Sequence, residues 1–132
     1  MESNKNVLVV DDRDENLLVL ESLLDDFPLN IFKANSGEEA LKILLKKNID
    51  QIFLDVRMPG MSGIETGRLI KGMSRTKDIP IVFLSGEEEP EYDVLKKEYP
   101  DTVEYMLKPV DETVLHQYLE KYLSVKIGKE ER

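Results

Sequence analysis

Five short apolar runs, each followed by an amphipathic stretch, dictate most of what this chain can become. The runs are 6–10, 30–34, 51–55, 79–85 and 103–107. They are continuous rather than alternating, as expected of strands buried on both faces in a parallel sheet. The stretches that follow them are 15–26, 36–47, 62–73, 89–99 and 111–123. Leu17, Leu20 and Leu24 recur at helical spacing in the first, and Leu115, Leu119 and Tyr122 fall on one side of the last. Two stretches open with a serine followed three residues on by glutamate, Ser36 with Glu39 and Ser62 with Glu65. That pair satisfies free N–H groups at a helix start. Pro90 suits the first turn of the fourth helix, and the acids near it complement the helix dipole. Strand–helix repetition with right-handed crossovers gives a doubly wound α/β sandwich.

The chain has 132 residues, enough for one domain with one sizeable core. With 41% hydrophobic and 34% charged residues it reads as globular rather than disordered. Its apolar runs fall far short of the ~20 residues of a membrane span, and "MESNKN" lacks a signal peptide's apolar segment. The absence of cysteine removes disulfides and thiolate metal sites, and a cytoplasmic location is expected. A net charge of −9 argues against nucleic acid and against anionic membranes, since affinity for both comes mainly from Lys and Arg.

In doubly wound folds ligands bind beyond the carboxyl ends of the strands, where strand order reverses. The first strand here ends in Asp11 and Asp12, the third in Asp55, the fourth in Ser85 and the fifth in Lys108, followed by Pro109. The second ends in nothing reactive. Three carboxylates and one ammonium sum to −2, which one divalent cation balances. Mg²⁺ takes oxygen ligands, uses one or two carboxylates and accepts phosphate oxygens. The set therefore suits Mg²⁺ with a phosphoryl group. Asp55 is the expected nucleophile, since carboxylates form acyl phosphates. Lys108 would offset the charge of the transferring group, and Ser85 would bond one of its oxygens.

Taken together, "VLVVDD", "FLDVRMPGMSG", "IVFLSG" and "YMLKP" follow one another in register from residue 6 to about 124. In this the chain resembles the response-regulator receiver domains of two-component signalling. The resemblance implies a five-stranded flavodoxin-like (βα)5 fold with strand order 2-1-3-4-5, over residues 1–124. It implies a switch rather than a conventional enzyme, in which Asp55 accepts a phosphoryl group from a sensor histidine kinase or a histidine phosphotransfer protein. Autodephosphorylation would be slow. Direct Mg²⁺ ligands would be Asp12, Asp55 and the backbone carbonyl of Arg57, with Asp11 acting through water. Ser85 and Tyr105 match the paired switch residues, and Pro109 matches a position usually preceded by a cis peptide. The output would act through the face of helix four, strand five and helix five, on an effector protein or a further domain, with a homodimer as one outcome of activation. Residues 125–132 read as a charged tail or the start of a linker.

Other readings attach to the same residues. Asp12 could cap the first helix. Lys108 could be a solvated lysine, Ser85 a turn residue and Tyr105 a buried strand aromatic. His116, the only histidine, is expected on the surface, and Gly67 and Gly72 are expected inside the third helix. Arg57 and Glu87, each two residues beyond a strand end, are expected to project over the pocket. They could pair and gate the approach of water, Arg57 could bind the phosphoryl group directly, or the two could be independent surface charges. A phosphatase with an aspartyl nucleophile needs a second Asp at position 57, where Arg stands. A flavin binder needs a phosphate cradle where "DDRDEN" is acidic. A receiver-like scaffold that is never phosphorylated would have lost an acid or the lysine, and none is missing. The segment "EYPDTVEYM" lacks the Gly-Ala pair common before strand five, which leaves the fourth helix least defined.

Overall fold

The computed structural model of the chain describes residues 4–124. Strands and helices alternate without exception. They run β1 (Lys5–Val10), α1 (Asp14–Leu23), β2 (Leu29–Ala34), α2 (Gly37–Lys46), β3 (Gln51–Asp55), α3 (Gly63–Lys71), β4 (Ile81–Ser85), α4 (Pro90–Glu98), β5 (Val103–Leu107) and α5 (Glu112–Leu123). All strand pairs are parallel and the order is β2-β1-β3-β4-β5. The order reverses between β1 and β3, which opens a crevice beyond their carboxyl ends. The tail expected at 125–132 lies outside the described residues. No helix among the described residues is long and apolar enough to cross a membrane.

Strand side chains alternate between faces, so each continuous apolar run feeds two layers at once. Leu8, Val10, Ile52, Leu54, Ile81 and Phe83 pack with Ala40, Leu44, Ile64, Ile70 and Leu95 of α2, α3 and α4. Val7, Val9, Phe53, Val82 and Leu84 pack on the opposite face with Leu17, Leu20, Leu115, Leu119 and Leu123 of α1 and α5. Each fully buried side chain of this size contributes about 1.5–3 kcal/mol.

The helix starts differ in detail from the sequence reading. Ser62 and Glu65 form the expected reciprocal capping box on α3. On α2, Ser36 accepts from the Glu39 N–H, but the Glu39 carboxylate accepts from the N–H of Asn35 instead. Asp12 does not cap α1, whose N-cap is Arg13 with no side-chain bond. α1 stops at Leu23 rather than 26, and β4 starts at Ile81, directly after Pro80, rather than at 79. Gly72 is the C-cap of α3 rather than an interior residue. Gly67 does lie inside α3, against the ring of Phe83, where a Cβ would come within 2.5 Å of Cζ.

His116 is half-buried rather than free on the surface. Its side chain is 13% exposed, Nε2 lies 2.9 Å from the carbonyl of Leu23, and the ring meets Phe27 edge-on at 4.7 Å. The apolar face of α5 turns it toward the end of α1, which a one-helix reading of periodicity could not show.

Two lysines brace the amino-terminal edge of the sheet. Lys71 donates to the carbonyls of Lys77 (2.9 Å) and Ile79 (2.6 Å) and to Thr102 Oγ1 (2.9 Å). Lys96 donates to the carbonyls of Pro100 (2.8 Å) and Val103 (2.7 Å).

Candidate functional site

Asp11 follows the end of β1, Asp55 ends β3 and Lys108 follows β5, so parallel strands deliver all three to one edge. One carboxylate oxygen from each of Asp11, Asp12 and Asp55 lies within 4.8 Å of the others. Asp11 and Asp55 are buried, whereas Asp12 is exposed. Lys108 Nζ stands 2.6 Å from Asp55 Oδ1 and 3.8 Å from Asp11 Oδ2. Asp55 is thus a buried carboxylate whose close charged neighbour is the Lys108 ammonium. Burial pushes the Asp55 carboxyl above its usual range; Lys108 opposes this, and Asp11 and Asp12 add to the rise.

The supporting contacts are local. Asp11 Oδ1 accepts from the N–H of Arg13 (3.0 Å) and from Asn16 Nδ2 (3.2 Å), so that oxygen is committed and Oδ2 faces the cluster side. Asn16 was not legible as a site residue, because its role depends on the helical turn that carries it back. Gly63 opens α3 directly beneath Asp55. A Cβ there would lie 2.0 Å from the Asp55 carbonyl oxygen, so only glycine allows this approach. The Lys108–Pro109 peptide is cis, as the resemblance implies.

A divalent cation fits these residues on two counts. The donors are all oxygens, and two of the three carboxylates that converge are buried. Without a cation the described cluster keeps an excess of negative charge beside a single lysine.

Ser85, fully buried at the end of β4, donates to the carbonyl of Glu87 (2.7 Å) and accepts from its N–H (3.2 Å). The Tyr105 hydroxyl donates to the same carbonyl, and its ring stacks on Tyr92 at 4.6 Å. Arg57 forms an ion pair with Glu87. It also reaches Glu89, a partner that sequence spacing did not suggest. An open groove of about 610 Å³ runs beside this bridge, floored by Val56, Met58 and Ile64.

Comparison with known proteins agrees with this geometry. The model of the family described as "Response regulator receiver domain" matches residues 7–120. A probable cyclic di-GMP phosphodiesterase of Vibrio cholerae is 36% identical over 97% of this chain, which spans 29% of that protein. The autoinducer 1 sensor kinase/phosphatase LuxN of Vibrio campbellii is 34% identical over 89% of the chain, which spans 13% of it. The chain thus corresponds to a minor part of these relatives. Among solved structures, the chemotaxis protein CheY4 of Vibrio cholerae superposes with a TM-score of 0.79 at 29% identity, covering 90% of this chain and 98% of that one. The family match reaches all five strands and takes in the acids, hydroxyl and lysine at their ends: this chain belongs to the response regulator receiver domains of two-component signal transduction.

Proposed function

We propose that the domain is a phosphorylation-dependent switch with Asp55 as its acceptor. The observation that carries this reading is the meeting of three carboxylates within 4.8 Å, one of them paired with Lys108 at 2.6 Å. The donor is a phosphohistidine on a sensor histidine kinase or a histidine phosphotransfer protein. An Asp55 carboxylate oxygen attacks phosphorus, the P–N bond breaks, and the imidazole leaves with the electron pair and takes up a proton. Lys108 holds Asp55 in place and balances charge on the transferring group. Ser85 leaves Glu87 to donate to a phosphoryl oxygen.

Asp12, Asp55 and the Arg57 carbonyl would hold Mg²⁺, with Asp11 through water. When bound, the ion supplies positive charge for the acyl phosphate and a template for its oxygens. Receiver domains are switches rather than conventional enzymes, and the output here is an effector protein or domain reached through α4, β5 and α5. Arg57 and Glu87, paired across the loops, obstruct the in-line water that would hydrolyse the acyl phosphate.

The test is incubation with acetyl phosphate and Mg²⁺. Wild type should take up one acid-labile phosphoryl group per chain, and Asp55→Asn should take up none. Equal uptake by the variant would refute the assignment.

A further inference from the structure

α4 is seated differently at its two ends. Its only fully buried residue, Leu95, lies in the second half, where Lys96 ties the helix to the carbonyls of Pro100 and Val103. The first turn, from Pro90, buries no side chain fully, and Tyr92 alone is partly covered. Its N-cap residue is Glu89, whose carboxylate bonds no N–H of the helix. That carboxylate turns outward to Arg57 on the loop after β3. Arg57 Nε donates to Glu89 Oε2 at 3.0 Å, and Nη2 lies 2.9 Å from the same oxygen. The Glu89 side chain is 12% exposed, against 64% for Glu87 and for Arg57 itself. Burial shields the Glu89 contact from the screening that weakens the Glu87 one.

We propose that Glu89 is a positioning residue, tying the acceptor loop to the first turn of α4 through Arg57. The inference rests on Asp55 being the phosphoryl acceptor. Arg57 stands two residues beyond Asp55. A phosphoryl group there brings ~1.5–2 negative charges and three strong acceptor oxygens, a better guanidinium partner than a carboxylate. The phosphoryl group and Glu89 then compete for one guanidinium. When Arg57 turns its Nε edge from Glu89 to the phosphoryl group, keeping Glu87 on Nη2, the first turn of α4 loses its anchor outside the helix while the Lys96 end stays fixed. The helix start is thereby released near the carbonyl of Glu87, on which Ser85 and Tyr105 meet. Neither the acceptor role of Asp55 nor the gate over the pocket requires Glu89; this tie does.

Amide exchange at Tyr92, Asp93 and Val94 reads the tie directly, with beryllofluoride and Mg²⁺ as the phosphoryl probe. In the resting protein, Glu89→Gln and Arg57→Ala should each speed exchange there by roughly tenfold, and the double variant should be no faster than either. In wild type the probe should speed exchange at the same three amides. In Glu89→Gln it should still bind, shifting the resonances around Asp55, yet add no further increase. A merely structural role for Glu89 would leave the probe's effect on these amides intact, and that result overturns the proposal. So does resting exchange in Glu89→Gln equal to wild type. Probe shifts around Asp55 in wild type without any change at α4 would overturn the competition while leaving phosphorylation standing. No response at Asp55 at all would remove the acceptor reading, and the competition with it.

Discussion

Ser85 and Tyr105 donate their hydroxyls to one and the same acceptor, the backbone carbonyl of Glu87. Ser85 reaches it from the end of β4 and Tyr105 from the middle of β5. A carbonyl has two lone pairs, so both bonds can form together, but withdrawing one donor changes the seat of the other. Phosphorylation of Asp55 should withdraw Ser85. Inverting a 1:99 population needs ~5.5 kcal/mol of differential stabilisation. Charge-assisted bonds from Ser85 and Lys108, at roughly 1.5–3 kcal/mol each, supply most of it. Addition of beryllofluoride and Mg²⁺ should therefore shift NMR resonances out to Tyr92, Glu104 and Tyr118. In Ser85→Ala the shifts should stay near Asp55. Shifts confined to the pocket in wild type would refute the switch.

The Arg57–Glu87 bridge should lengthen the life of the acyl phosphate. Arg57→Ala and Glu87→Ala are each expected to speed loss of acid-labile phosphate, with the double variant no faster than the quicker single. Strictly additive effects on the logarithm of the rate would show that the two residues act independently.

Gly67→Ala should destabilise the domain. Helix propensity favours alanine by ~1 kcal/mol, but the new Cβ meets Phe83 Cζ at 2.5 Å and Cε1 at 3.0 Å in a fully buried site. Overpacking of this kind costs about 1–3 kcal/mol, so the net change should be a loss. The urea midpoint should fall with its slope unchanged.

Asp55→Asn should raise the thermal midpoint in the absence of divalent ions. The folded state raises this carboxyl's pKa, so the ionised form destabilises the fold above the unfolded value near 4. The advantage of the variant should grow as pH rises through that value and shrink again below it. Mg²⁺ should raise the wild-type midpoint, and EDTA should reverse the gain. An unchanged wild-type midpoint across a millimolar Mg²⁺ titration would argue against a cation site.

Lys71 should make the fold more stable in mild alkali than its lysine content suggests. Burial pushes its ammonium down to about 8, against 10.5 for the free group. Between these values the unfolded chain binds more protons than the folded one, so stability rises with pH. Compared with Lys71→Met, in which other groups titrate alike, wild type should gain roughly 2 kcal/mol between pH 7.5 and 10. A flat difference would show that the three acceptors around Nζ offset the cost of burial.

The sheet was legible because strands buried on both faces leave unbroken apolar runs. β3 and β5 begin and end where the runs do. That the acids and the lysine would meet was legible for a related reason, since parallel strands bring their carboxyl ends to one edge. What escaped depended on side chains crossing between elements distant in sequence. His116 was read as exposed because its helix alone offers no hint of Leu23 and Phe27. Glu89 lay hidden among three consecutive glutamates, which differ only in what the loop after β3 brings near. Lys71 looked like any helix-end lysine until Thr102 and two carbonyls closed around it. Asn16 needed the first turn of α1 to reach back to Asp11.

The two apolar layers described above share no side chain, because a continuous sheet of backbone lies between them. They behave as two cores hung on one partition, and a repacking on one side is muffled before it reaches the other. Traffic between the α1–α5 side and the α2–α4 side must therefore go around the partition rather than through it. Its shortest detour is the rim where the strands stop, and that rim is where Asp11, Asp55, Ser85 and Lys108 stand.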